Sequence, residues 1–156
     1  MRSKGPKLRA RTEAVVEIAA SPEVLWTAFT NEAAWRHWYV GLTELEWLTE
    51  QPWVPGAQFR YGFTLGFPLR QVILTATIRE VRFGEGVAWD WRGAGIRGTH
   101  GYLFEPTPEG TRLTGQDLFY GRLVPLYRLL FLTRRWRQAQ QAALEGFKAY
   151  IESGHL

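Results

Sequence analysis

The chain has 156 residues, 46% of them hydrophobic and 15% aromatic with eight Trp, which is enough for one domain with a substantial core. It has no cysteine, so disulfides, thiolate metal sites and a cysteine nucleophile are excluded. Its net charge of +4 is concentrated at one end: residues 1–11 hold Arg2, Lys4, Lys7, Arg9 and Arg11 and no acid, leaving 14 basic against 15 acidic side chains beyond them.

A nearly neutral body argues against nucleic acid as a partner, since a nucleic-acid-binding domain carries its basic stripe on folded surface. Residues 1–11 are expected to form a disordered basic tail, and residues 12–153 a single domain. In chain order, 12–19 alternates β-branched and polar residues and predicts a first strand. Ser21, Pro22 and Glu23 supply an N-cap, a first-turn proline and a first-turn acid for a short helix. Its buried face would use Val24, Leu25, Ala28 and Phe29. Asn31 is placed to cap a second short helix that ends before Gly41.

From Leu42 onward the period shortens towards two. Strands are expected over 44–49, 57–64, 69–81, 87–93, 98–105 and 111–120, separated by Gly- and Pro-rich turns. Residues 123–152 then form the longest helical pattern, about 30 residues or roughly 45 Å if continuous. Pro125 suits its first turn, and Gly154 stands past its end. Leu129, Leu132, Trp136, Ala139, Ala143, Phe147 and Tyr150 recur at helical spacing on one face. Gly146 marks a place where the helix backbone can approach the sheet closely. Strands joined by short turns favour an antiparallel meander, and the long helix is its available cover.

The segments VEIAASPEVLWTAFTNEAAWRHW, FEPTPEGTRLT and ALEGFKAYIE resemble the helix-grip superfamily, also called SRPBCC. It includes START domains, Bet v 1-like proteins and bacterial polyketide cyclase/dehydrase-like proteins, and the resemblance spans about residues 12–153. It implies an α+β fold: a curved antiparallel sheet of six to seven strands around a long C-terminal helix, with two short helices after strand one. It also implies a small hydrophobic or aromatic ligand (lipid, quinone or polyketide-like) in a cavity between sheet and helix. A cyclase- or dehydratase-like lyase, and a protein-interaction module with a chaperone-related or regulatory role, are the alternatives. Binding without covalent chemistry is the preferred reading.

Alternation assigns the residues that would line such a cavity. Phe59, Tyr61 and Phe63 share one face of their strand, and Trp89 and Trp91 one face of theirs. His100, Tyr102 and Phe104 share another, as do Asp117 and Phe119; Leu132 and Trp136 come from the helix. His100, Tyr102 and Asp117 are the catalytic candidates. If the turn at 106–110 closes a hairpin, 100 and 117 fall at the same height, and a His beside an Asp is a general base with a fixed tautomer. The same pair can equally be a satisfied structural hydrogen bond. Arg60 has the opposite parity to its aromatic neighbours and is expected outside; Arg70 is weighed with it as a ligand clamp. Trp38 and Trp47 are candidates to close the mouth, or simply to pack at an edge.

No metal or cofactor is expected. The three histidines have no ligand spacing, Asp occurs twice, and no phosphate loop or nucleophile elbow is present. No signal-peptide pattern precedes the first strand, so a cytoplasmic protein is the default. Arginines at 122, 128, 134, 135 and 137 accompany leucines and Phe131, with no acid among them. This composition raises peripheral membrane contact through 122–137, against solvated arginines over a closed cavity. Oligomeric state stays open, a homodimer included.

Overall fold

Two-residue alternation of apolar and polar side chains builds a single antiparallel sheet, whose inward residues are buried and outward residues exposed. The computed structural model describes residue 5 and residues 7–66 and 69–154. Its strands are β1 (Leu8–Ile18), β2 (Leu42–Trp47), β3 (Gln58–Thr64), β4 (Gln71–Arg82), β5 (Gly86–Gly93), β6 (Ile96–Thr107) and β7 (Gly110–Tyr120). They lie in the order β1-β7-β6-β5-β4-β3-β2, a meander from β2 to β7 with β1 added beside β7. Helices α1 (Pro22–Phe29) and α2 (Trp35–Trp38) carry the chain from one sheet edge to the other. Helices α3 (Val124–Leu129) and α4 (Leu132–Glu152) follow β7. This is the expected α+β arrangement of a seven-stranded sheet with a long C-terminal helix.

The first strand begins earlier than alternation alone places it. Leu8 pairs with Tyr120 and Arg11 with Leu118, so 8–11 belong to β1 and not to a tail. The free edge of β7 is the reason, because it offers backbone partners that a local pattern cannot show. The rest of the tail before Lys7 lies outside the described residues, Gly5 excepted. At α1 the Ser21 hydroxyl accepts from the Val24 N–H at 3.4 Å, as the cap signature predicts. The buried face there is Leu25, Trp26 and Phe29, with Trp26 in place of Val24 and Ala28. Asn31 makes no side-chain cap, and a 3-10 turn over Glu32–Ala34 leads into α2 instead.

The long helix is broken where the sequence reads as continuous. Leu130 ends α3, and Phe131 adopts a left-handed backbone with φ of 58° before α4 starts. Two contacts account for the break. Val124 and Tyr127 pack α3 inward, and the Tyr127 hydroxyl donates to the Ala94 carbonyl in the β5–β6 turn. α4 must in turn follow β1, which α3 cannot do from that position. Leu129, assigned to the buried face, is therefore 73% exposed.

α4 runs alongside β1 and closes its open edge. The Arg137 Nε–H donates to the Glu13 carbonyl at 3.1 Å, and the Gln141 amide spans Val15 N–H and C=O at 3.3 and 3.1 Å. Lys148 donates to the Glu17 carbonyl, and the Glu152 carboxylate accepts from the Ala19 N–H. At Gly146 the close approach is to α2 and not to the sheet. A Cβ there would lie 2.2 Å from the Trp38 carbonyl oxygen, a backbone atom that cannot swing aside. Gly146→Ala is accordingly expected to destabilise by about 2 kcal/mol or more, through displacement of α2 from α4. Urea denaturation checks it, and an unchanged midpoint with unchanged slope would refute the packing argument.

Candidate functional site

All the lining residues expected from alternation point inward: Phe59, Tyr61, Phe63, Trp89, Trp91, His100, Tyr102, Phe104, Asp117, Phe119, Leu132 and Trp136 are each buried. They separate into two levels. Near the start of α4, the Trp136 ring stacks on Trp91 at 5.1 Å and meets Phe63 at 5.1 Å and Phe119 at 5.2 Å edge-on. Leu132 lies one helical turn nearer the α3–α4 corner. Deeper, Trp89 packs on His100 at 4.9 Å and on Phe59 at 5.2 Å, while Phe104 meets Trp26 and Phe29 at 5.6 Å. Ring contacts thus occupy the region where a cavity between sheet and helix was expected. Open recesses of about 680 and 470 Å³ lie on the outer face, among residues such as Glu17, Glu80 and Arg112.

The deeper level carries a polar cluster. The register pairs His100 of β6 directly with Asp117 of β7, and His100 Nδ1 stands 2.7 Å from Asp117 Oδ1 with both side chains buried. Gln140 of α4 completes it, with its amide nitrogen 3.0 Å from His100 Nε2. The network assigns the tautomer: Nδ1–H donates to the carboxylate, and Nε2 accepts from the amide. Tyr102 sits edge-on to His100 at 4.5 Å. Gly115 makes the approach of Gln140 feasible, since a Cβ there would lie 2.5 Å from the amide nitrogen. Apolar periodicity selects Ala139 and Ala143 and passes over Gln140. The four-residue series Leu132, Trp136, Gln140 is the signal that could have found it.

Several buried polar atoms on the inward side lack a protein partner, among them Gln140 Oε1, Trp91 Nε1 and Thr12 Oγ1. Each such atom costs about 1–3 kcal/mol while unpaired. Burial raises the phenol pKa values of Tyr61 and Tyr102 well above the ordinary 10; the neighbouring buried tyrosines and the Asp117 charge add to this, and hydrogen bonds from Trp89 and Gln140 oppose it. Tyr39, on the same side, is raised by burial and then by Asp117.

The remaining candidates lie elsewhere. Arg60 is on the outer face, paired with Glu46 at 2.7 Å and Glu44 at 3.2 Å, and Arg70 is exposed. Trp38 is buried under α4 against Phe147 at 4.7 Å, and Trp47 packs on Trp53 and Phe59 at the β2 side. Among the described residues no group of three or more acidic or histidine side chains could hold a metal ion. No helix among them is long and apolar enough to cross a membrane.

A curved meander gripping a C-terminal helix defines a helix-grip protein. The chain belongs to the family described as polyketide cyclase/dehydrase and lipid transport, whose model matches residues 9–152. Solved structures agree on the fold. The protein TTHA0849 from Thermus thermophilus superposes with a TM-score of 0.76 at 15% identity, covering 92% of this chain and 98% of that one. KanY superposes at 0.71 and 15% identity, with the same coverages. DynU16, a protein of the dynemicin biosynthetic locus, matches at 0.68 and 20% identity over 94% of this chain, which spans 48% of its length. No curated protein sequence matches significantly.

Two outcomes follow from the cluster. His100→Leu leaves the Asp117 carboxylate buried and unpaired, with an expected loss of about 3–5 kcal/mol, much of it regained in the double variant with Asp117→Leu. Denaturant melts of the three proteins test this, and equal single and double losses would refute it. The raised tyrosines set an alkaline limit. Unfolded phenols release protons near pH 10 while the buried ones retain theirs, so stability is full below pH 10 and falls as pH rises above it. Absorbance at about 295 nm should show Tyr61 and Tyr102 ionising only together with unfolding; their titration in the folded protein would contradict it.

Proposed function

We propose that this protein binds, without covalent chemistry, a small hydrophobic or aromatic ligand bearing a hydrogen-bonding group, of lipid, quinone or polyketide type. The observation that carries the reading is the pairing of an aromatic interior with buried polar atoms that lack partners, Gln140 Oε1 and Trp91 Nε1 above all. A ligand hydroxyl can donate to the first, and a ligand carbonyl can accept from the second, while its apolar body lies among Trp89, Trp91, Phe119 and Trp136. In the packed conformation Trp136 occupies part of that space. Binding therefore requires Trp136 to rotate away, with movement of the α3–α4 corner beyond Leu132.

The His100–Asp117 pair gives the lyase reading its own support, as a base of fixed tautomer. Against it, His100 Nε2 already accepts from Gln140, so the nitrogen that would take a proton is engaged. The binding reading is preferred for that reason. Titration with an apolar fluorophore, together with native mass spectrometry of purified protein, tests it. Saturable binding is expected, weakened about tenfold by Gln140→Leu through loss of one buried hydrogen bond. Absence of both saturable binding and any co-purifying ligand would reject the proposal. Proton exchange or dehydration of a bound compound that vanishes in Asp117→Asn would favour the lyase.

A further inference from the structure

The corner joining α3 to α4 presents an apolar outer side. Val124 and Tyr127 anchor α3 inward, which turns its other side chains to the surface. Leu126 is 48% exposed, Leu129 73% and Phe131 65%, with Leu123 and Leu130 flanking them. Large apolar side chains scattered singly are ordinary on a protein surface, but five at one corner are not.

Beside this ridge lies a recess of about 360 Å³, lined by Arg9 and Arg11 of β1 and by Arg128, Arg134 and Arg137. Arg11 lies 3.6 Å from the Glu13 carboxylate, and Arg137 is bonded to the Glu13 carbonyl. The side chains of Arg9, Arg128 and Arg134 have no hydrogen-bonding or ionic partner among the described residues. No acidic residue occurs between 118 and 144, and among the described residues Glu13 is the one carboxylate paired with this set. Tertiary structure makes the recess, since β1 and the α3–α4 corner are more than a hundred residues apart in the chain.

We propose that this corner docks on an anionic phospholipid bilayer, with arginines of the recess on lipid phosphates and Leu129 and Phe131 in the outer acyl region. Charge complementarity selects an anionic partner, and the adjoining ridge selects one with an apolar layer just beneath the charge. A nucleic acid would satisfy the arginines and leave Leu129 and Phe131 against a polyanion. The inference does not depend on the ligand reading. Where both hold, the segment that meets lipid is also the cover over Leu132 and Trp136.

Co-sedimentation of the full chain with phosphatidylcholine vesicles, and with vesicles containing roughly one third phosphatidylglycerol, tests the proposal. Binding to the anionic vesicles alone is expected, weakened by added salt. Arg128→Ala and Arg134→Ala should each reduce affinity roughly fivefold. Leu129→Asn combined with Phe131→Asn should reduce it by about tenfold or more, and asparagine tolerates the left-handed backbone at 131. These side chains are largely exposed, and unchanged circular dichroism would show that the variants fold. Equal pelleting with neutral vesicles, no pelleting with anionic ones, or variants that bind like the parent would overturn the proposal. Arginine-dependent binding of duplex DNA without vesicle binding would also overturn it, in favour of a nucleic acid. None of these results bears on fluorophore binding by the interior, which uses no vesicles.

Discussion

The contact on which the rest of the structure depends is the row of α4 side chains that satisfies the open edge of β1. Arg137, Gln141, Lys148 and Glu152 meet backbone groups of Glu13, Val15, Glu17 and Ala19 in order along the strand. Fifteen residues of helix rise about 22 Å and six of strand about 20 Å, so the two ladders stay in step. An unpaired edge would invite another chain, and the helix covers it with side chains instead of a further strand. Since one stripe of α4 is fixed to β1, the neighbouring stripe of Trp136, Gln140, Ala143, Phe147 and Ile151 must face the interior.

That orientation brings Gln140 to His100. A buried carboxylate, imidazole, amide and phenol within an aromatic core is a costly arrangement unless its members satisfy one another. Here they do so incompletely: His100 has both nitrogens engaged, whereas the Gln140 carbonyl oxygen faces no protein donor. An interior built only for stability would be served by apolar residues at these positions. The cluster gives the interior a polar floor, and the rings above it are the part a ligand would have to displace.

The break at Phe131 links interior and surface. A bulky residue in the left-handed region costs about 1–2 kcal/mol, a strain that the packing on either side must hold in place. α3 is held by the β5–β6 turn and α4 by β1, and the helical path is interrupted at Leu130 and Phe131 between them. Leu129, Leu130 and Phe131 are driven outward while Leu132 is drawn under the corner. The same short segment therefore joins the exposed apolar ridge to the buried Leu132.

By itself the sequence determined the period, and with it the strands, the inward parity of Phe59, Tyr61, Phe63, Trp89, Trp91, Tyr102, Phe104 and Phe119, and the position of His100 opposite Asp117. These follow from local geometry: side chains alternate along a strand, and the turn at 106–110 sets the register of its hairpin. Resemblance to the helix-grip superfamily supplied the closure of the sheet around the last helix. Local periodicity could not reveal that 8–11 pair with β7, that the last helix breaks at 130–131, or that Gly146 faces α2. Nor could it reveal Gln140 at the polar floor, or the convergence of Arg9 and Arg11 with Arg128, Arg134 and Arg137. Each of these depends on contacts between segments far apart in the chain, where the partner's position, and not the residue's own propensity, decides the outcome. Tertiary structure alone decided them.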